Sequence, residues 1–143
     1  MKLELFINFD GNCREAAEFY AKVFKTDVGE MMTYESVPPD PNFPIAEEDR
    51  QKIVYAGVKV GDSVLMMMDM PSNAPLVVGN NVSPTVSADT TEEVTRLFSE
   101  LKEGGKVLMD LQKPFFSELY GMVEDKFGVI WQILHYTDEG SQA

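Results

Sequence analysis

The chain has 143 residues, and its 24 Asp and Glu against 12 Lys and Arg give a formal net charge of −12. This acidic balance argues against a nucleic-acid partner, because binding phosphates needs a basic face. No apolar run approaches the roughly 20 residues that span a bilayer, and the first residues lack the apolar stretch of a signal peptide, so we expect a cytoplasmic protein with no membrane partner.

The first elements along the chain are a strand and a helix. Residues 3–9 are strand-like, and Asn12 followed by Glu15 forms the pattern of a helix capping box. The helix should run from residue 13 to about residue 25, because apolar side chains recur at helical spacing after the cap. These side chains are Ala16, Phe19, Tyr20 and Val23.

Cys13 is the single cysteine of the chain and would stand at the first position of this helix. One cysteine cannot form an intrachain disulfide, which agrees with a reducing compartment. Two interpretations stay open. Cys13 is either a small side chain facing the sheet or a thiolate favoured by the amide dipoles at the start of the helix.

A strand predicted at residues 28–37 leads into a proline cluster at residues 37–44, which holds four prolines. Because proline lacks a donor and restricts the residue before it, this segment is predicted to be a loop. The loop is either a lid over a pocket, with Phe43 as its exposed aromatic side chain, or a surface excursion packed on itself. Strands at residues 53–60 and 63–70 then form a hairpin.

The second half repeats the order of the first. Thr90 opens a second capping box with Glu93, 78 residues after Asn12, and a strand-like segment at residues 82–88 precedes it. The glycine pair at residues 104–105 ends the second helix as a left-handed cap. The apolar side chains of that helix are Val94, Leu97, Phe98 and Leu101. Three strands follow, at residues 107–112, 119–124 and 129–136.

This duplication predicts one domain made of two strand-helix-strands modules. The first module spans about residues 1–72 and the second about residues 80–136, with a linker rich in Pro, Gly and Asn between them. Each module alone, at roughly 70 residues, would be only marginally stable. We therefore expect the two modules to curl around a shared cleft, which is where small molecules bind.

Four segments carry a resemblance to a known family: residues 16–24 in the first helix, residues 125–133 in the final hairpin, and residues 9–13 and 66–71. They resemble the vicinal oxygen chelate superfamily, which includes glyoxalase I, extradiol dioxygenases and bleomycin- and fosfomycin-resistance proteins. The closer resemblance is to its PhnB-like branch, often labelled 3-demethylubiquinone methyltransferase-like. The resemblance implies an α+β fold in which two βαβββ modules form a curved mixed sheet, or half-barrel, around a cleft. It also implies a homodimer.

The resemblance implies where a metal-dependent member would hold its divalent ion, through one side chain on each of four strands. These positions fall on Leu5, Met66, Ser83 and Gln132. Leucine cannot ligate, and a thioether or a serine hydroxyl is a poor donor for a hard cation, so Gln132 alone is a credible ligand. Catalytic sites normally need about three protein ligands. We therefore expect no metal there, and no other cofactor.

Strand alternation predicts which side chains would line the cleft, because every second residue shares a face with the four ligand positions. The ligand-binding residues predicted in this way are Leu5, Ile7, Met66, Met68, Ser83, Thr85 and Gln132, and Tyr120 is added because its phenol could reach the mouth of the cleft. They combine an apolar wall with a short row of hydroxyl groups, which suits a small, partly aromatic ligand. The alternative is that these side chains merely fill the inside of a collapsed barrel.

Residues of the last strand that face away from the Gln132 side of the sheet are predicted to have structural roles. Trp131 should pack in the core under a helix, and His135 should be a packed or rim histidine rather than a base. Glu124 and Asp125 are adjacent in a turn and point apart, so they form no acid-base pair and no catalytic residue is assigned.

The sequence favours a metal-free small-molecule-binding protein of the sequestration or resistance type, whose ligand is cationic or aromatic. The alternative is a lyase, isomerase or dioxygenase of the same superfamily, with a displaced ion held by Gln132 plus Asp69 or Glu124. A third possibility is a purely structural dimerisation module. Methyltransferase activity is not favoured, because the turns after the two opening strands lack a glycine-rich cradle for a nucleotide cofactor.

Overall fold

The computed structural model of the chain describes residues 1–136 and divides between Val77 and Val78 into two units. The first unit contains β1 (Leu5–Phe9), α1 (Cys13–Val23), β2 (Val28–Thr33), β3 (Ile53–Val60) and β4 (Ser63–Asp69). The second contains β5 (Thr85–Ser87), α2 (Thr91–Leu101), β6 (Lys106–Gln112), β7 (Ser117–Glu124) and β8 (Ile130–Tyr136). Two short 3-10 helices, Tyr34–Ser36 and Glu47–Asp49, lie between β2 and β3.

Each unit folds its strands into one four-stranded mixed sheet, and the strand order is the same in both. The first sheet has the order β1-β4-β3-β2 and the second the order β5-β8-β7-β6. In each sheet the opening strand pairs in parallel with the last strand, and the other pairs are antiparallel. The predicted α+β fold of two βαβββ modules is confirmed.

Helix α1 covers one face of the first sheet. Phe9 of β1 packs its ring against Tyr20 of α1, with 6.5 Å between ring centroids. Leu65 and Met67 of β4 are buried on this same side. The opposite face, which we call the first helix-free face, carries Phe6, Tyr55, Met66 and Met68.

Helix α2 covers one face of the second sheet in the same way, and its four predicted apolar side chains are all buried. Phe98 lies so close to Gly121 that a β-carbon there would be 2.8 Å from its ring, so this approach requires glycine. Trp131 is 2% exposed, which confirms its predicted place in the core. The opposite face, the second helix-free face, carries Ser83, Thr85, Tyr120 and Gln132.

The two helices begin differently. The Thr90 hydroxyl accepts a hydrogen bond from the Glu93 amide at 3.1 Å, so the predicted cap of α2 is confirmed. The predicted side-chain cap at Asn12 is wrong, because Asn12 makes no such bond to α1. Instead the Asp69 carboxylate, at the end of β4, accepts the Cys13 amide hydrogen at 2.9 Å.

Several elements are shorter than the sequence predicts. Helix α1 ends at Val23 and not near residue 25, where Lys25 takes a left-handed conformation with φ of +52°. Strand β5 covers only Thr85–Ser87, and Pro84 before it has no amide hydrogen to give to a neighbouring strand.

Among the helices of residues 1–136, none has the length and apolarity to cross a bilayer.

Candidate functional site

A chain of hydrogen bonds joins three side chains on the second helix-free face. The Tyr120 hydroxyl donates to Gln132 Oε1 at 2.7 Å, and Gln132 Nε2 donates to the Ser83 hydroxyl at 2.8 Å. Thr85 pairs with Gln132 across β5 and β8 and lies beside this chain. The structure therefore brings together four of the eight predicted site residues, while their role in ligand binding stays a prediction.

Aromatic side chains lead from solvent to this hydrogen-bonded chain. Phe115 is fully exposed, and its ring lies edge-on to Phe116 at 5.3 Å. Phe116 in turn lies edge-on to Tyr120 at 5.4 Å. Burial raises the pKa of the Tyr120 phenol, so at neutral pH the phenol keeps the proton that it donates to Gln132. Edge-on aromatic contacts of this kind present ring faces on which a planar ligand can stack.

Two of the predicted residues lie on the first helix-free face. Met66 pairs with Phe6, and Met68 pairs with Asn8, across β4 and β1. The Tyr55 ring lies 6.4 Å from that of Phe6. Neither Phe6 nor Tyr55 was among the predicted site residues. This face is therefore more aromatic than predicted.

Leu5 and Ile7 were predicted to share a face with the two methionines, and the structure contradicts this. They pair with Leu65 and Met67 on the side that α1 covers. The turns before α1 and α2 have the same length, residues 10–12 and 88–90, so turn length does not explain the difference. Residues 78 apart in β1 and β5 nevertheless face opposite sides of their sheets, since Phe9 lies on the helix side and Ser87 lies on the helix-free side. Counting back 78 residues from Ser83 therefore reaches the wrong side of β1.

The family's metal-ligand positions do not form a hard-cation site. Leu5 lies on the helix side, Met66 offers only a thioether, and the polar groups of Ser83 and Gln132 are bonded to each other. Within residues 1–136, no three His, Cys, Asp or Glu side chains are grouped closely enough to hold an ion. The donor set of these positions does not fit a divalent ion of the magnesium or manganese type.

Asp69, which we considered as a displaced ligand, serves the backbone instead. It is 1% exposed, and its two oxygens accept amide hydrogens from Cys13 and Ile53, both at 2.9 Å. Ligating an ion would leave those buried amides without an acceptor. Glu124, the other proposed ligand, forms an ion pair with Lys106 at 3.6 Å. The structure therefore removes Asp69 from the set of plausible ligands.

The remaining reactive side chains are engaged or buried. Cys13 is fully buried, which confirms the structural interpretation of it. Burial raises the pKa of its thiol to about 12, the nearby Asp69 carboxylate adds to the rise, and Arg14 opposes it. The Nδ1 atom of His135 lies 2.8 Å from the Ala88 carbonyl oxygen. The side chain is on the side of the sheet opposite Gln132, as predicted for a packed histidine.

Comparison with known proteins places the chain in a family. The family described as 3-demethylubiquinone-9 3-methyltransferase matches residues 1–134, which is nearly the whole chain. The chain belongs to this family. The match also makes the chain a PhnB-like member of the vicinal oxygen chelate superfamily, as the sequence motifs predicted.

Two known proteins match the chain over almost their full length. Protein YjdN of Escherichia coli K12 is 32% identical, and the match covers 93% of this chain and 94% of YjdN. The crystal structure of protein PA1353 from Pseudomonas aeruginosa is 30% identical with a TM-score of 0.85, and the match covers 96% of this chain and 99% of PA1353.

A more distant structure supports the fold alone. A glyoxalase/bleomycin resistance protein/dioxygenase family enzyme from Burkholderia phytofirmans PsJN is 15% identical with a TM-score of 0.60, and the match covers 92% of this chain and 97% of that enzyme. The fold is therefore that of the glyoxalase and bleomycin-resistance proteins. The methyltransferase in the family's description is a name. The strand-to-helix turns, residues 10–12 and 88–90, contain one glycine between them, which does not make a glycine-rich nucleotide cradle.

Proposed function

We propose that the chain is a small-molecule-binding protein that holds its ligand on the second helix-free face without a bound metal ion. The observation that supports this most directly is the state of Gln132, the one credible ligand among the family's metal positions. Both ends of its amide are bonded to protein side chains, Tyr120 and Ser83. An amide fixed in this way orients the Tyr120 and Ser83 hydroxyl groups for a ligand, and one of the two lone pairs of its oxygen is already engaged by Tyr120.

The direction of the hydrogen bonds gives the chemistry offered to the ligand. Because Gln132 Nε2 donates to the Ser83 oxygen, the Ser83 hydroxyl hydrogen is available to an acceptor on the ligand. The hydroxyl of Thr85, which is exposed, lies beside it. A ligand with an oxygen or ring nitrogen at one end would be positioned by these groups.

The aromatic side chains and the net charge support a cationic aromatic ligand. Phe115, Phe116 and Tyr120 offer ring faces for stacking and for cation–π attraction. The formal charge of −12 raises the local concentration of cations.

The homodimer that the resemblance implies belongs to the same proposal, and sedimentation velocity of the purified protein tests it.

The test is a fluorescence titration with acriflavine, a planar aromatic cation. We expect saturable binding that weakens by about tenfold in Gln132→Ala, because Tyr120 and Ser83 lose their common partner. Gln51→Ala, a change at an exposed glutamine in the first unit, serves as the matched control and should keep the affinity. Unfolding of each variant by urea shows that it is folded.

Two results would contradict the proposal. One is acriflavine binding that Gln132→Ala leaves unchanged. The other is stoichiometric divalent metal in purified protein that is lost together with a catalytic activity in Gln132→Ala, which would favour the enzyme alternative.

A further inference from the structure

The first unit contains a cavity of about 400 Å³ beneath the proline loop, which we define as residues 37–46. Its lining combines apolar side chains of the loop and of β3 with two asparagines. The apolar residues include Val37, Phe43, Ile45 and Val54, and the asparagines are Asn42 and Asn73. Small-molecule sites in proteins typically have volumes of about 300–1,000 Å³ and walls of this composition.

The ends of the proline loop are clamped, so the cavity is built into the fold. The amide of Tyr34 donates to the Lys52 carbonyl oxygen, and the amide of Glu35 donates to the Arg50 carbonyl oxygen, both at 3.0 Å. The Tyr34 hydroxyl donates to the Asp69 carbonyl oxygen at 2.7 Å, which ties the start of the loop to β4. Between the clamps, prolines keep the loop from joining the sheet.

A buried carboxylate fastens the opposite wall. Asp49 is 3% exposed, and its Oδ2 accepts hydrogen bonds from the amide and the hydroxyl of Ser72, both at 2.9 Å. Its Oδ1 pairs with Lys52 Nζ at 2.9 Å. The charge of Asp49 is thus neutralised within the wall. The polar groups left for a ligand at this cavity are the uncharged amides of Asn42 and Asn73.

One of the two aromatic side chains that line this cavity, Phe43, is not covered by the protein. Phe43 is 75% exposed, although it lines the cavity. A second cavity, of about 490 Å³, lies beside the same loop and shares Val37, Phe43 and Ile45 with the first. The apolar side chains of the loop therefore border empty space on two sides. A ligand ring placed against Phe43 would bury apolar surface that is now in contact with water.

We propose that the cavity beneath the proline loop is a second ligand site, separate from Gln132, that takes an uncharged aromatic molecule with one hydrogen-bonding group. The apolar walls hold the ring system, and the asparagine amides meet the single polar group. Charged ligands are disfavoured, because the one carboxylate in the wall is already paired and an added charge would be desolvated without a partner.

The probe is N-phenyl-1-naphthylamine, an uncharged aromatic amine whose fluorescence rises in apolar surroundings. We expect saturable binding to the full chain at one site, with amide chemical-shift changes confined to residues 34–54 and 71–73. Phe43→Ala should weaken this binding about tenfold. Phe43 is on an exposed loop, so the variant should unfold at the same urea concentration as the parent chain. Tyr136→Ala, which removes another exposed aromatic ring, is the matched control and should keep the affinity.

The two sites are told apart by titrating Phe43→Ala with acriflavine as well. Loss of N-phenyl-1-naphthylamine binding with retained acriflavine binding supports the second site. The proposal is overturned if the chain shows no saturable binding of N-phenyl-1-naphthylamine, if Phe43→Ala binds it with unchanged affinity, or if the shift changes fall on the second unit. None of these three results bears on the Gln132 titration.

Discussion

At the scale of single residues, Asp69 performs the function that the sequence assigned to Asn12. Its carboxylate accepts the first amide hydrogen of α1 and also the amide hydrogen of Ile53, so one side chain joins the helix, β3 and β4. No local pattern reveals this, because Asp69 lies 56 residues from Cys13 along the chain. A carboxylate at the start of a helix also interacts favourably with the helix dipole.

Asp69→Asn should lower the free energy of unfolding by about 2 kcal/mol. The asparagine side chain has one oxygen and one NH2 group, so either the Cys13 amide or the Ile53 amide would face a donor where it now has a carboxylate acceptor. Urea denaturation followed by circular dichroism measures the change. Asp10→Asn alters an exposed carboxylate near the same end of β1 and should change stability by less than about 0.5 kcal/mol. Equal stability of the two variants would show that Asp69 is not the anchor that its contacts indicate.

Cys13 should be unreactive in the folded protein. With burial raising the pKa of its thiol from 9.0 to about 12, the folded chain keeps the proton that the unfolded chain releases above pH 9. The free energy of unfolding should therefore fall as pH rises from 9 towards 12, and it should fall less steeply in Cys13→Ala. Reaction with a thiol-specific disulfide reagent at pH 8 checks accessibility: we expect labelling only in urea, and rapid labelling without urea would contradict the buried thiol.

At the scale of elements, sequence and structure differ in which side of β1 faces helix α1. Helical spacing identified both helices, and the cap at Thr90 was predictable because it is local. The side of the sheet that Leu5 and Ile7 face was not predictable, since residues 78 apart in β1 and β5 point to opposite sides although the two turns have equal length. Sequence therefore predicts which segments are strands more securely than which side of a strand is free.

The proline loop should loosen in acid through Asp49. The Ser72 amide and the Lys52 ammonium hold the pKa of this carboxyl below its ordinary value of 3.8. The stabilisation is present above that value and is lost as pH falls through the lower pKa of the folded state. Asp49→Asn should therefore flatten the loss of stability between pH 4 and pH 2, measured as urea midpoints. Asp40→Asn changes an exposed carboxylate on the same loop and should lose stability in acid as the parent chain does. If Asp49→Asn also lost stability as the parent chain does, the contacts of Asp49 with Ser72 and Lys52 would not be what stabilises the loop.

At the scale of the whole molecule, the sequence carried the family and the fold but not the details of the site. The motifs and the 78-residue repeat pointed to two βαβββ units, which the structure contains. The hydrogen-bonded set of Tyr120, Gln132 and Ser83 was predicted as neighbours and not as a bonded chain, because side-chain partners depend on strand register. The cavity under the proline loop depends on tertiary clamps that no single segment encodes.

The net charge of −12 should separate the two proposed ligand classes. Raising the salt concentration from about 0.02 M to about 0.5 M should weaken acriflavine binding severalfold, because screening shortens the reach of the acidic field. Binding of uncharged N-phenyl-1-naphthylamine should stay constant or strengthen slightly. Fluorescence titrations at the two salt concentrations measure both. A parallel loss of affinity for the two probes would mean that charge does not select the ligand.

The strand order β1-β4-β3-β2 has a consequence for how the chain acquires its structure during synthesis. Strand β1 leaves the ribosome first, yet its parallel partner β4 follows sixty positions later, as the pairing of Leu5 with Leu65 records. Strand β4 is the last strand of the first unit to be synthesised, yet it lies inside the sheet, between β1 and β3. A nascent chain that stalls before β4 would thus expose two unpaired strand edges to solvent and to any chaperone that recognises them.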